Sequence, residues 1–122
     1  MLSKVTFLRT VIIGALLVGC ATSVPQPTPY ALRWATAYWP DTTLSSLKKG
    51  RQIYIRKCAG CHNLYLPDVY SPDQWQERIG VMVEVEEVTL TTEEQNLIIR
   101  YLSAASIQLQ QPNASWSKGA RK

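Results

Sequence analysis

This chain of 122 residues is poor in the side chains that usually bind metals, with one histidine, three cysteines and two methionines. A single histidine excludes any site in which two imidazoles of this chain bind one metal ion, as well as any histidine-rich site. A closed structural zinc site needs four ligands, and no cysteine or histidine follows His62. No apolar run approaches the about 20 residues that a membrane-spanning helix needs. The chemistry of this chain therefore depends on very few residues.

The N-terminus has the form of a bacterial secretory signal. Two basic residues, Lys4 and Arg9, precede the short apolar run 11–18, which ends just before a glycine and Cys20, and this order is typical of a signal peptide. The ending resembles a lipobox, in which Cys20 is lipidated and becomes the first mature residue. The alternatives are an ordinary signal peptide with a chance cysteine, or an uncleaved anchor. We expect a lipoprotein signal peptide over 1–19.

The residue after the predicted lipidation site indicates a location. Ala21, rather than an aspartate, follows Cys20, which resembles the outer-membrane sorting pattern of Gram-negative lipoproteins. The resemblance implies a protein anchored by lipid on the periplasmic side of a bacterial membrane, and it favours the outer membrane over the inner one.

The net charge of the mature chain is small. The whole chain has 13 basic and 9 acidic residues. Two of the basic residues lie in the predicted signal, which leaves 11 against 9 and a net charge of +2. This balance and the extracytoplasmic location argue against a nucleic-acid partner. Three basic residues near the C-terminus either contact anionic lipid or belong to a solvated tail: Lys118, Arg121 and Lys122.

The most informative motif is Cys58-Ala59-Gly60-Cys61-His62, which has the C-x-x-C-H spacing of c-type haem attachment. Two thiols at this spacing can each form a thioether with a haem vinyl group, and the next imidazole can bind the iron. A dithiol redox site would need a strand-to-helix context, and a zinc site would lack further ligands. The chain resembles a monohaem class I cytochrome c. That resemblance implies one covalent haem c on Cys58 and Cys61, with His62 as an iron ligand.

A first helix is predicted from about residue 44 to 57, directly before the motif. Gly50, Tyr54 and Cys58 follow at i, i+4 and i+8, so they share one face. In class I cytochromes c, a small residue at this spacing marks the crossing of the N-terminal and C-terminal helices. On that resemblance, the last helix packs against this face through two residues: Ile98 and Tyr101.

Two further helices have clear start signals. Ser71 suits the N-cap of the second, with Pro72 at its first position and Gln74 completing a capping box. Thr91 and Glu94 form the equivalent pair for the third. The three helices predict a small all-α cytochrome c fold around one covalently bound haem.

Proline-rich and polar segments flank the predicted haem domain, which covers 44–109. Residues 20–43 contain four of the seven prolines and predict an extended tether. Within it are three aromatic residues that either pack on the domain or lie at the lipid interface: Trp34, Tyr38 and Trp39. Residues 110–122 are polar and unperiodic, which predicts a tail.

Met82 is the candidate distal iron ligand, because it is the one methionine after the motif. The resemblance to class I cytochromes c implies His/Met ligation. Met82 also continues an apolar helical stripe with Trp75 and Ile79, and a methionine in such a stripe often fills the core instead. Its place at or near a helix end departs from the family, whose ligand usually lies in a loop.

The groups around His62 are left open by the sequence. A ligating histidine normally donates its second ring N–H to a carbonyl or carboxylate. In the family a downstream proline carbonyl accepts this bond, and both Pro67 and Pro72 are candidates. Tyr65 and Tyr70 either line the haem or belong to the ordinary core.

Two charged segments lie close to the motif in sequence. Their separation would give a charge dipole that steers partners, although both segments can equally be solvated surfaces. The first helix carries basic residues: Lys48, Lys49, Arg51, Arg56 and Lys57. Acidic residues surround the loop before the third helix: Glu84, Glu86, Glu87, Glu93 and Glu94.

The motif and its location favour a membrane-tethered electron carrier over an enzyme. Its partners would be redox proteins that donate and accept electrons, with neither a small-molecule substrate nor a nucleic acid. One alternative is a haem c subunit of a larger oxidoreductase complex, which shares the same chemistry. Another is a haem sensor or weak peroxidase with an open distal site, which would need Met82 off the iron and a polar distal group in its place.

Overall fold

The computed structural model describes residues 24–60, 63–85 and 88–111, and these ranges contain four α-helices and no β-strand. The helices are α1 (Pro29–Tyr38), α2 (Leu44–Cys58), α3 (Pro72–Glu84) and α4 (Thr92–Leu109). A short 3-10 helix, Pro67–Val69, precedes α3. The fold is all-α, as predicted. None of the helices described here has the length and apolar character needed to cross a membrane.

The predicted capping boxes place the starts of α3 and α4. The Ser71 hydroxyl accepts a hydrogen bond from the Gln74 amide at 3.3 Å, and the Gln74 side chain accepts one from the Ser71 amide at 2.9 Å. Thr91 and Glu94 make the equivalent bonds at 3.1 and 2.9 Å. These bonds satisfy amides that have no partner inside the helix. Both predicted starts are therefore confirmed.

The predicted tether over 20–43 is wrong for the part that the structure describes, because α1 occupies it. The Thr28 hydroxyl caps α1 by accepting a hydrogen bond from the Ala31 amide at 3.4 Å. Pro29 begins the helix, where its missing N–H removes no helical hydrogen bond. Ala31 and Ala35 are fully buried, so α1 is a packed element of the domain.

Two of the three aromatic residues of this segment pack on the domain. Trp34 and Trp39 are partly buried and pack on the domain, whereas Tyr38 is 64 % exposed. The guanidinium of Arg100 lies 5.7 Å from the centre of the Trp39 ring and pairs with Asp41 at 2.9 Å. The hydrogen bond from Arg100 lowers the pKa of the Asp41 carboxyl. These contacts attach the connection between α1 and α2 to helix α4.

The last helix, α4, is the centre of the molecule and contacts the other three helices and the 3-10 helix. Its residues 101–106 are all buried. Where α4 crosses α2, a Cβ on Gly50 would overlap the Leu97 carbonyl oxygen, lie 2.7 Å from the Leu97 carbonyl carbon, and lie 3.0 Å from the Tyr101 Cβ. The expected close crossing is confirmed, with Leu97 rather than Ile98 beside Tyr101 at the nearest point.

Candidate functional site

Cys58 is the last residue of α2 and faces the interior. It is 5 % exposed and belongs to the apolar cluster that contains Tyr54, Trp75 and Ile79. The basic residues in the last turn of α2 suit the negative end of a helix dipole. Cys58 lies on the buried face of α2, so the first thiol of the motif is in an apolar environment.

Several residues of the predicted site lie outside the described ranges. These are Cys20, Cys61 and His62, together with the tail beyond 111. Among the residues that are described, no three His, Cys, Asp or Glu side chains come together as a metal site. The attachment of haem to Cys58 and Cys61, its ligation by His62 and the lipid on Cys20 stay predictions.

Met82 lies in the last turns of α3 and packs against the cluster that contains Cys58. It follows Trp75 and Ile79 on one face of the helix, and those two side chains are almost completely buried. Met82 itself is only partly buried. Its backbone carbonyl accepts a hydrogen bond from the Val88 amide at 3.3 Å. The fold therefore brings Met82 and Cys58 to one apolar cluster.

The carbonyls of Pro67 and Pro72 both stay candidates for the partner of His62, which lies outside the described residues. Pro67 is buried, and its carbonyl accepts a hydrogen bond from the Trp75 indole at 2.7 Å. A carbonyl oxygen has two lone pairs, so a second donor can share it. Pro72 begins α3, and carbonyls in a first helical turn accept bonds from amides of their own helix.

Aromatic rings form a continuous array beside Cys58. Trp75 lies 6.2 Å from Tyr54 and 4.9 Å from Tyr70, and Tyr70 lies 6.0 Å from Tyr65, measured between ring centres. The pairs are tilted towards edge-to-face, the arrangement that aromatic quadrupoles favour. Trp75 and Tyr54 belong to the core, whereas Tyr65 is 41 % exposed. The array runs from the buried side of the motif towards the surface.

Burial raises the pKa of the Tyr54 hydroxyl, and a negative charge on the nearby Cys58 sulfur would raise it further. The protonated hydroxyl donates a hydrogen bond to the Tyr65 carbonyl at 2.9 Å. This bond joins α2 to the segment that follows the motif, so it limits how far the two can separate.

Two surface grooves lie away from this cluster. One, of about 520 Å³, is lined by the outer face of α3, including Asp73, Glu77 and Glu84. The other, of about 360 Å³, lies between Trp34 and Pro72. Neither groove includes Cys58 or Met82 in its lining.

The sequence interpretation missed the role of residues 24–28. They pack against α2 and α4 through Arg51, Tyr101 and Gln108. One signal was present, because Thr28 followed by Pro29 is a typical helix start. The contacts themselves join residues 26 to 82 positions apart, and no local pattern indicates them.

The comparisons with known proteins add no relative: no protein-family model, curated protein or solved structure matches this chain. The proposal below therefore depends on the motif and on the surroundings of its described residues.

Proposed function

We propose that this chain is a c-type cytochrome that carries electrons while anchored by lipid on Cys20 to the periplasmic side of a bacterial membrane. One haem c is held by thioethers to Cys58 and Cys61, with His62 and Met82 as the iron ligands. The observation that carries the proposal is the C-x-x-C-H motif, whose first cysteine ends α2 in the same apolar cluster that Met82 packs against.

The chemistry of the donor set supports a haem at this position. A c-type haem needs two thiols for attachment, and its iron needs an imidazole and a second axial donor. The motif and Met82 together provide these groups. The surroundings are apolar and incompletely buried. Partly buried hydrophobic side chains pack against the cluster that contains Cys58: Ile55, Leu64, Tyr70, Met82, Leu90, Leu97 and Ile99.

The size of the domain is consistent with a bound group. Domains of about this size bury a smaller share of their surface than larger ones and are marginally stable. A covalently attached apolar macrocycle adds to the core that the helices form. The described core already includes three large rings that are fully buried, those of Tyr54, Trp75 and Tyr101.

When bound, the haem supplies a one-electron couple between ferric and ferrous iron. The part played by the protein is to keep the ligands in place in both oxidation states. Met82 lies on a helix anchored by the buried Trp75 and Ile79, and such anchoring restrains its thioether. The hydrogen bond from Tyr54 to the Tyr65 carbonyl restrains the segment after the motif. Small ligand movement favours rapid electron transfer.

Electron transfer is preferred to peroxidase or sensor chemistry because of the side chains available. An open-site haem enzyme needs a polar group above the iron, and His62, the one histidine of the chain, belongs to the motif. Several partly buried hydrophobic side chains, Met82 among them, pack against the Cys58 cluster.

The test is covalent attachment. Acid–acetone extraction of the purified protein should leave one haem per chain with the polypeptide. The double variant Cys58→Ala, Cys61→Ala should release its haem or contain none. Cys20→Ala is the matched control, since it removes a cysteine outside the motif and should keep the haem-to-protein ratio at one. Extraction of free haem from the unmodified protein would contradict the proposal.

A further inference from the structure

Residues 24–28, called the clasp from here on, attach the start of the described chain firmly to the domain. Val24 is 3 % exposed and belongs to the same apolar cluster as Cys58. Pro25 and Pro27 are buried as well. Residues 24–28 are therefore packed against the domain.

Side chains of α2 and α4 hold the clasp by its backbone carbonyls. Arg51 donates from Nε to the carbonyls of Val24 and Pro25, both at 3.1 Å, and from Nη2 to Val24 at 2.9 Å. The Tyr101 hydroxyl donates to the Pro25 carbonyl at 2.7 Å in a buried hydrogen bond. Hydrogen bonds from a charged guanidinium are stronger than neutral ones, so this end of the clasp is well secured.

A single glutamine holds the other end. Gln108 is 8 % exposed, and its amide nitrogen donates to the Gln26 carbonyl at 3.0 Å. Its amide oxygen accepts from both the backbone N–H and the hydroxyl of Thr28, each at 3.0 Å. The donor and the acceptor of the buried Gln108 amide both make hydrogen bonds. These bonds fix Thr28, the residue that caps α1.

Proline suits a segment held in this way. Prolines at 25, 27 and 29 have no N–H and a restricted φ, so the segment stays extended and its carbonyls are free to accept bonds from side chains. A proline-rich segment also loses less conformational entropy on docking than an ordinary one. The composition that predicts a loose tether therefore also favours a docked segment when donors are nearby.

We propose that the clasp holds the domain against the lipid surface of the membrane. The inference rests on the proposed lipid on Cys20, since four residues from Cys20 to Val24 span at most about 14 Å. An undocked tether of 22 residues would reach roughly 70 Å. Because this connection is short, the domain stays close to the membrane. The lipid headgroup region is therefore the surface that the domain contacts.

The experiment measures the distance between the domain and a bilayer. The mature lipidated protein is placed in a supported bilayer of phosphatidylcholine and phosphatidylglycerol, and neutron reflectometry gives the thickness of the water layer between headgroups and protein. We expect at most about 14 Å. A 20-residue Gly-Ser insertion between Ser23 and Val24, with a mean reach of about 25 Å, should widen this layer by a comparable amount. The same insertion between Asn113 and Ala114 is the control and should leave it unchanged.

The outcomes separate this inference from the proposed function. Mass spectrometry of the same sample reads the lipid on Cys20, and absorbance reads the haem content. With lipid present, a water layer much thicker than 14 Å, or one that the first insertion does not change, overturns the inference and leaves the proposed electron carrier intact. Absence of lipid overturns the inference and the proposed anchoring together, while the haem reading tests the electron carrier on its own.

Discussion

At the scale of single residues, Gly50 is the one described glycine that has no room for a side chain. Gly50 lies on the face of α2 that leads to Cys58, and a side chain there would collide with the Leu97 carbonyl of α4. A backbone carbonyl inside a helix cannot move aside as a flexible side chain can. The crossing that places Cys58 therefore depends on the missing Cβ.

Gly50→Ala should lower the free energy of unfolding by about 1–3 kcal/mol, although alanine is a better helix former by about 1 kcal/mol. The control is Gly80→Ala in α3, where an added Cβ meets no atom within 4 Å. It should raise the free energy of unfolding by about 0.5–1 kcal/mol. Urea unfolding followed by circular dichroism measures both. A Gly50→Ala protein as stable as the parent would show that the crossing is looser than described.

Met82 is the proposed distal iron ligand, and a conservative substitution tests that role. Met82→Leu removes the thioether sulfur while nearly conserving volume, so its cost in stability should stay below about 1.5 kcal/mol. If Met82 binds the iron, the variant loses the weak far-red absorption band of ferric thioether coordination and binds cyanide faster. Ile79→Leu, one turn earlier in the same stripe, should keep the band. An unchanged spectrum in Met82→Leu would assign Met82 to the core.

At the scale of elements, α4 joins the clasp, α2 and the candidate site through Tyr101. This side chain is fully buried, and its hydroxyl donates to the Pro25 carbonyl. Burial raises the pKa of Tyr101 above its ordinary value of 10.0, as it does for Tyr54. Tyrosines in the unfolded chain lose their protons near pH 10, whereas Tyr54 and Tyr101 of the folded chain keep theirs to higher pH. The stabilisation that results from this difference is complete below pH 10 and is lost as the pH rises further.

Stability should therefore fall as the pH rises above 10, by up to about 1.4 kcal/mol per pH unit for each buried tyrosine. Tyr101→Phe should cost about 1 kcal/mol at pH 8 through the lost hydrogen bond, and should make the decline above pH 10 shallower. Urea unfolding between pH 8 and pH 11 measures both effects. Tyr38→Phe, at an exposed position, should leave the free energy of unfolding at pH 8 unchanged. An equally steep decline in Tyr101→Phe would mean that other groups cause it.

At the scale of the whole molecule, the basic and the acidic segments meet at one ion pair of the described residues. Lys49 of α2 pairs with Glu93 of α4 at 3.0 Å, and Lys57 donates to the Thr89 carbonyl at 3.4 Å. The expected charge dipole stays a prediction, since Glu86 and Glu87 lie outside the described residues. Both partners of the ion pair are largely exposed, so its contribution to stability is small. Lys48 and Arg56 stay exposed and are the cations of α2 best able to meet a partner.

Arg56→Glu should slow oxidation of the proposed ferrous protein by an anionic complex such as ferricyanide, roughly twofold to fivefold at low ionic strength. Charges near an encounter surface act mainly on the association rate, and salt screens them. Arg33→Glu on α1 makes the same change of net charge at another exposed arginine. Stopped-flow measurements at increasing salt should show a larger effect for Arg56, which disappears at high salt. Equal effects for both variants would mean that only net charge matters.

The sequence alone determined the features that depend on neighbouring residues. The capping boxes of Ser71 with Gln74 and of Thr91 with Glu94 are local, because each joins residues three positions apart, and both starts were predicted. The attachment motif is also local, since its chemistry needs only its own spacing. The shared face of Gly50 and Cys58 follows from helix periodicity, whereas the close crossing at Gly50 was implied by the resemblance to class I cytochromes c.

Only the tertiary structure decided which segments pack together. Proline composition predicts an extended segment before residue 44, but docking of the clasp depends on Arg51, Tyr101 and Gln108, which lie 26 to 82 residues away from their partners. The same holds for the choice of Leu97 at the helix crossing and for the pairing of Lys49 with Glu93. The physical reason is that the energy of a distant hydrogen bond or contact exists only after the chain has folded, whereas a cap or a motif is complete within a few residues.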